Sequence, residues 1–192
     1  MVAMASVALF HSVYGLRPAV RAAAERLRAA GHTVVTPDLY RAPAVDDLST
    51  GFALADRVGF ETMLARAREA IRDLPGEAVL AGLSTGTGLV EALLPERPAT
   101  AGVLLLAGAG ATFDKCPPGL RAQLHVADPD PEFVPAEDVE RWTAGMTAAG
   151  TIFEVYRYPG VGHLWIDEDL PDFDAPAAER TWQRCAEFLR LS

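Results

Sequence analysis

The chain has only two cysteines, Cys116 and Cys185. They are too few for a disulfide framework and too far apart for a metal site, so reduced thiols and a cytoplasmic protein are expected. It also lacks positive charge: 26 acidic against 17 basic residues leave a formal net charge of -9. Such a chain repels a phosphate backbone, and with no basic patch or aromatic-basic interleaving to offset this, no nucleic-acid partner is expected. No apolar run is long enough to span a bilayer, so no membrane partner is expected either. The stretch Met1 to Phe10 is apolar but has no basic n-region, and it leads into a strand-like run rather than a cleavage site. Low-complexity tracts, internal repeats and dividing linkers are absent. What remains is a 192-residue chain that is 50% apolar, enough to close one sizeable core, and a single domain over 1–192 is expected. The oligomeric state is left open.

Hydrophobic periodicity alternates between strand and helix along the whole chain. Ser6 to Phe10 is a compact apolar run. Pro18 then opens a helix carried by Val20, Ala24, Leu27 and Ala30 and stopped at Gly31. Thr33 to Thr36 reads as a second strand. Residues 39–58 hold prolines and acids with little periodicity and are expected to form a long excursion with at most one helical turn. Phe60, Leu64, Ala67, Ile71 and Leu74 mark an amphipathic helix with Arg66, Glu69 and Arg72 turned outward. Further strands are expected at Ala78 to Ala81, Gly102 to Ala107, Gln123 to Ala127 and Ile152 to Tyr158. A helix is expected from about Ala136 to Ala149, and a closing helix places Ala178, Trp182, Cys185 and Leu189 on one face. This alternation predicts an α/β fold, a mainly parallel, doubly wound sheet with helices on both faces.

Within that frame one stretch carries chemistry. Gly82-Leu83-Ser84-Thr85-Gly86 has the G-x-S-x-G spacing and lies between a strand and a helix that ends before Pro95. A strand that turns sharply into a helix strains the central residue, and flanking glycines leave room for close approach. The turn presents the Ser84 hydroxyl at the sheet edge, beside helical amides able to stabilise an oxyanion. A phosphate cradle is disfavoured, because no lysine lies between Ala78 and Arg97.

In a parallel sheet the carboxyl ends of the strands share one edge, where ligands gather. Beyond the fifth strand lies the acidic turn Asp128-Pro129-Asp130-Pro131-Glu132, and beyond the sixth lies Pro159-Gly160-Val161-Gly162-His163. Ser84, an acid and His163 therefore follow different strands in the order Ser, Asp, His, the order of α/β-hydrolases. A glycine-rich loop is expected to leave His163 unpacked, as a general base requires. Of the other histidines, His32 is expected at the surface beside Gly31, His125 in the core within a strand, and His11 at the active edge. The acids Asp167, Glu168, Asp169, Asp172 and Asp174 have no metal-ligand spacing and read as a solvated rim; no metal site is expected.

These residues resemble the dienelactone hydrolase family, a lidless branch of the α/β-hydrolases. The resemblance rests on Phe10-His11-Ser12-Val13-Tyr14-Gly15-Leu16, Pro37-Asp38-Leu39-Tyr40, the Gly82 to Gly86 elbow, His125 through Asp130 to Val134-Pro135, and Pro159 to His163. It implies an α/β-hydrolase fold without a large lid, a nucleophile at Ser84, a base at His163 and an acid at Asp130, which fits the family's H-x-x-x-x-D pattern from His125. It also implies an oxyanion hole at the amides of Thr85 and Val13. The chain departs from the founding enzymes at three points. Their nucleophile is cysteine where this chain has Ser84. Their first-loop glutamate falls on Ser12, and their carboxylate-gripping arginine falls on Asp167. With Glu168 and Asp169 alongside, Asp167 is expected to repel a substrate carboxylate.

The expected activity is that of a serine hydrolase cleaving an ester, lactone or thioester of a small soluble acyl substrate through a Ser-His-Asp triad and an acyl-enzyme, without a cofactor. The expected pocket is open and shallow, walled by His11, Ser12, Tyr14, Leu83, Phe133, Leu164 and Trp165. A non-catalytic binding protein on the same fold is the alternative.

Overall fold

Strands Val79–Leu83 (β3) and Gly102–Leu106 (β4) are buried at every position, which only a sheet covered on both faces allows. The computed structural model, which describes residues 4–110 and 116–190, shows that sheet. Its other strands are Ser6–Phe10 (β1), Thr33–Val35 (β2), Arg121–Asp128 (β5) and Ile152–Pro159 (β6). The order is β2-β1-β3-β4-β5-β6, and every neighbouring pair is parallel. The apolar start at residues 1–3 lies outside the described residues.

The alternation of side chains along each strand divides the core into two layers. Val7, Leu9, Val79, Ala81 and Leu83 face Pro18–Ala29 (α1) and Ala175–Arg190 (α6). Ala8, Phe10, Leu80, Val103 and Leu105 face Phe60–Ile71 (α3), Gly86–Leu93 (α4) and Ala136–Ala148 (α5). Cys185 is fully buried on the inner face of α6, and Cys116 is buried with its Sγ 3.7 Å from Met146 Sδ.

The chain leaves β1 toward β2 on one side and returns to β3 on the other, so the order reverses between β1 and β3. Phe10 pairs with Gly82 and Leu83 with Leu106. The loops after these strands therefore open together at a topological switch point, where open α/β sheets hold their ligands.

Four sequence expectations are corrected. Residues 48–58 form a helix, α2 (Leu48–Val58), capped where Asp47 accepts a 2.8 Å hydrogen bond from the Thr50 amide. Phe60 is not on the buried face of α3 but 45% exposed. Arg66 does not extend into solvent and donates to the Leu39 carbonyl at 2.6 Å. His32 is buried and accepts from the Ala5 amide at 3.2 Å, fixing the start of β1 against the turn after α1. Among the described residues no helix is long and apolar enough to cross a membrane.

Candidate active site

β3 runs into α4 with no intervening loop, and Ser84 takes the bend at φ 48°. For a side chain larger than glycine that left-handed conformation costs about 1–2 kcal/mol, so the surroundings must enforce it. They do so with backbone contacts on both sides. The Ser84 amide donates to the Leu106 carbonyl at 2.7 Å, and its own carbonyl accepts from the Thr87 amide at 2.9 Å and the Thr87 hydroxyl at 2.7 Å. Space is the second constraint. A Cβ on Gly82 would lie 2.5 Å from Gly86, and one on Gly86 would lie 2.6 Å from the Phe10 carbonyl oxygen.

Two loops meet the serine. Ser84 Oγ lies 2.9 Å from His163 Nε2, and His163 Nδ1 lies 2.6 Å from Asp130 Oδ2. The Asp130 carboxylate is oriented in turn by the Phe133 amide at 3.3 Å. The carboxylate acceptor fixes the tautomer: the imidazole proton sits on Nδ1 and leaves Nε2 free to accept from the serine hydroxyl. His163 is not the unpacked loop residue expected from its glycines. Its side chain is 9% exposed and stacks on Phe133 with centroids 4.3 Å apart. Asp172 holds the same loop, accepting from the Leu164 amide at 3.2 Å and lying against Gly162 where a Cβ would be. Asp128, the other acid of its turn, contributes its carbonyl to the Gly160 amide at 3.1 Å.

A cavity of about 430 Å³ lies over Ser84 and His163. Val13 and Thr85 line it, as do three of the expected walls, Tyr14, Phe133 and Leu164. The other four expected walls lie behind it. Leu83 and Trp165 belong to the core under α1 and α6, and the Trp165 indole donates to Thr181 Oγ1 at 2.9 Å. Ser12 is buried, with its hydroxyl 3.4 Å from the Tyr14 amide.

His11 is also buried, and its partners give it a different task. The Leu39 amide donates to Nε2 at 3.1 Å, so the proton is on Nδ1, which donates to the Ser12 carbonyl at 2.8 Å. Burial lowers its pKa and keeps the ring neutral. In a trans peptide the carbonyl and the following amide point opposite ways. Holding the Ser12 oxygen therefore also sets the direction of the Val13 N–H. Tyr40 Oη donates to the Val13 carbonyl at 2.9 Å and fixes the next peptide.

Sequence reasoning missed Leu48 and Phe52 of α2, which form an apolar wall, and Glu132 and Asp138, which line the cavity with Asp172. The capping pattern Asp47-x-x-Thr50 was the signal for α2. Asp167, expected to face the substrate, is buried in an ion pair with Arg17, Oδ2 to Nε 2.8 Å. Among the described residues no group of His, Cys, Asp or Glu is arranged to hold a metal ion.

A strained serine between β3 and α4, at the switch point of a parallel sheet, is the arrangement of the α/β-hydrolase fold. The fold is shared with solved members of that superfamily. A dienelactone hydrolase-like promiscuous phosphotriesterase from metagenomic libraries superposes with a TM-score of 0.78 at 16% identity, over 98% of this chain and 87% of the other. A dienelactone hydrolase from Anabaena variabilis gives 0.66 at 20% identity over 96% and 85%. A thermophilic esterase from Thermogutta terrifontis gives 0.71 at 15% identity over 97% and 81%. No curated protein matches the chain. Residues 119–191, which carry β5, Asp130, β6, His163 and α6, match the model of the Dienelactone hydrolase family.

Proposed function

We propose that the protein is a serine esterase acting on a small, soluble acyl compound. One observation carries the reading: an unbroken hydrogen-bond chain runs from Ser84 Oγ through His163 to Asp130, at 2.9 and 2.6 Å, and its serine end opens into the cavity. His163 Nε2 takes the hydroxyl proton as Ser84 Oγ attacks the acyl carbon. The carbonyl oxygen becomes an oxyanion received by the amides of Thr85 and Val13. Collapse of the tetrahedral intermediate breaks the bond to the leaving group, which takes the proton from His163 and departs as an alcohol or thiol. Water then repeats the cycle on the acyl-enzyme, with His163 again accepting and returning a proton. Asp130 holds the imidazole in the required tautomer and stabilises its cation. The steps call for no metal or organic cofactor.

The walls argue for the substrate class. About 430 Å³ is at the small end of ligand pockets, and Leu48, Phe52, Phe133 and Leu164 make much of it apolar. Its charged lining among the described residues, Glu132, Asp138 and Asp172, is acidic. Neutral or cationic acyl esters and thioesters therefore suit it better than substrates with a free carboxylate. The buried thiols Cys116 and Cys185 fit a reducing compartment, and we place the enzyme in the cytoplasm. A panel of neutral, cationic and carboxylate-bearing esters and thioesters, with Ser84→Ala as the blank, tests the reading. Turnover of neutral esters lost in Ser84→Ala supports it, and equal turnover in the two proteins refutes it.

A further inference from the structure

The Arg17 guanidinium is buried, and it joins three segments that wall the cavity. Its Nε donates to Asp167 Oδ2 at 2.8 Å, four residues beyond His163. Its Nη1 donates to the Val45 carbonyl at 2.7 Å and to Asp46 Oδ1 at 2.9 Å, immediately before α2. Arg17 itself ends the loop that begins with Ser12 and Val13. It also lies under Tyr14, 5.6 Å from the ring centroid, so its face supports a cavity wall. The Val45 amide returns a hydrogen bond to the Tyr14 carbonyl at 3.0 Å.

Stability alone does not account for this arrangement. Arg17 is 3% exposed and the Asp167 side chain 5%, so both charges leave water. Burial opposes the Arg17 charge but Asp46 and Asp167 hold its pKa above the ordinary value, whereas burial raises the Asp167 pKa above the ordinary carboxylate value despite the adjacent guanidinium. Its ionised form is therefore less favoured in the fold than in the unfolded chain. A buried pair in that position is a weak source of stability and a directional constraint. The three donors of the guanidinium fork also fix angles as well as distances, which a lysine could not do.

Resting on the esterase reading, we infer that Arg17 and Asp167 are positioning residues for the reaction: their ion pair sets the Val13 loop and the His163 loop in register with each other and anchors α2 to both. Neither residue lines the cavity. Their effect passes through Val13, the proposed oxyanion donor, and His163, the proposed base. A misplacement of about 1 Å between such groups costs up to about a hundredfold in rate.

The test compares Asp167→Asn, Arg17→Lys and Arg17→Ala with Val34→Ala, a core truncation on β2 that makes no contact with the site. Turnover of a neutral p-nitrophenyl ester, the thermal midpoint and the downfield NMR resonance of the His163 Nδ1 proton are measured for each. The pair variants are expected to lower kcat about 10- to 100-fold with KM changed less than about 3-fold, and to shift or broaden the resonance. Val34→Ala should lose stability but keep both kcat and the resonance. Added methylguanidinium should restore part of the activity of Arg17→Ala. If Arg17→Ala does not fold, the isosteric Asp167→Asn carries the comparison. An unmoved resonance in the folded pair variants overturns the inference, and so does a loss of kcat that Val34→Ala matches at equal loss of stability. A wild type that hydrolyses no ester while its resonance still depends on the pair refutes the esterase reading alone.

Discussion

Replacing Asp130 with asparagine removes one charge from the proposed triad and leaves its shape. The carboxylate is 2.6 Å from His163 Nδ1, and the two side chains are 6% and 9% exposed, so water screens their interaction weakly. With the charge centres about 4 Å apart and an effective dielectric near 20, the attraction between carboxylate and imidazolium is about 4 kcal/mol. The imidazolium exists only once Ser84 has given up its proton, so most of that energy acts on the transition state. It corresponds to about a thousandfold in rate. An asparagine amide facing Nδ1 would also favour the tautomer with its proton on Nε2, which cannot accept from Ser84 and deepens the loss. The expected result is a fall in kcat of about 10³- to 10⁴-fold for p-nitrophenyl acetate, with KM within a few-fold of wild type and a cooperative unfolding transition retained. Asp128→Asn, whose residue contributes a backbone carbonyl to the neighbouring loop, should stay within a few-fold of wild type. A crippled Asp128→Asn beside an active Asp130→Asn would refute the assignment of the acid.

Three further outcomes follow from individual contacts. Gly86→Ala would place a methyl group 2.6 Å from the Phe10 carbonyl oxygen and 2.8 Å from that of His11, backbone that cannot step aside. It should cost about 1–3 kcal/mol in denaturant unfolding and lower activity by displacing the Val13 loop, and unchanged stability would contradict the close packing of α4 on β1. Phe52→Ala, at a 43% exposed position of α2, should change stability by less than about 1 kcal/mol but raise KM more for butyrate than for acetate esters; equal effects on both would remove α2 from the acyl wall. Burial of His125 lowers its pKa to about 3, so below the ordinary histidine value of 6.5 the unfolded chain binds a proton that the fold refuses. Stability from this group is complete above 6.5 and declines as pH falls, by about 1.4 kcal/mol per unit. Between pH 7 and pH 4.5 wild type should therefore lose about 3 kcal/mol more than His125→Asn in urea unfolding, and parallel losses would refute the neutral buried histidine.

Strand positions and the order of the site residues were readable because they depend on local pattern. An apolar run between turn signals can hardly avoid becoming a buried strand, and the observed β1, β4 and β5 agree with the sequence reading within about two residues at either end. The G-x-S-x-G spacing likewise states its own geometry, since Gly82 and Gly86 occupy places where a Cβ would strike backbone. What escaped was set by contacts distant in sequence. The helix α2 buries only Gly51 and Leu54, so it shows a weak apolar period, and its place over the site is set by Val45 and by Gly51 against the Val13 carbonyl. Asp167 read as a charge facing the substrate because its partner lies 150 positions away. His11 read as a pocket wall for a similar reason: its task depends on the Leu39 amide, 28 positions further along the chain.

Covalent labelling decides whether Ser84 is an activated nucleophile. Wild-type protein is treated with a fluorophosphonate, the modified residue is located by peptide mass spectrometry, and loss of ester hydrolysis is followed in the same sample. One adduct per chain is expected, on Ser84, with activity lost in proportion to labelling. Labelling should be abolished by heat denaturation and strongly slowed in His163→Ala. Label on another residue, or labelling of Ser84 that is as fast in His163→Ala as in wild type, would contradict an activated Ser84.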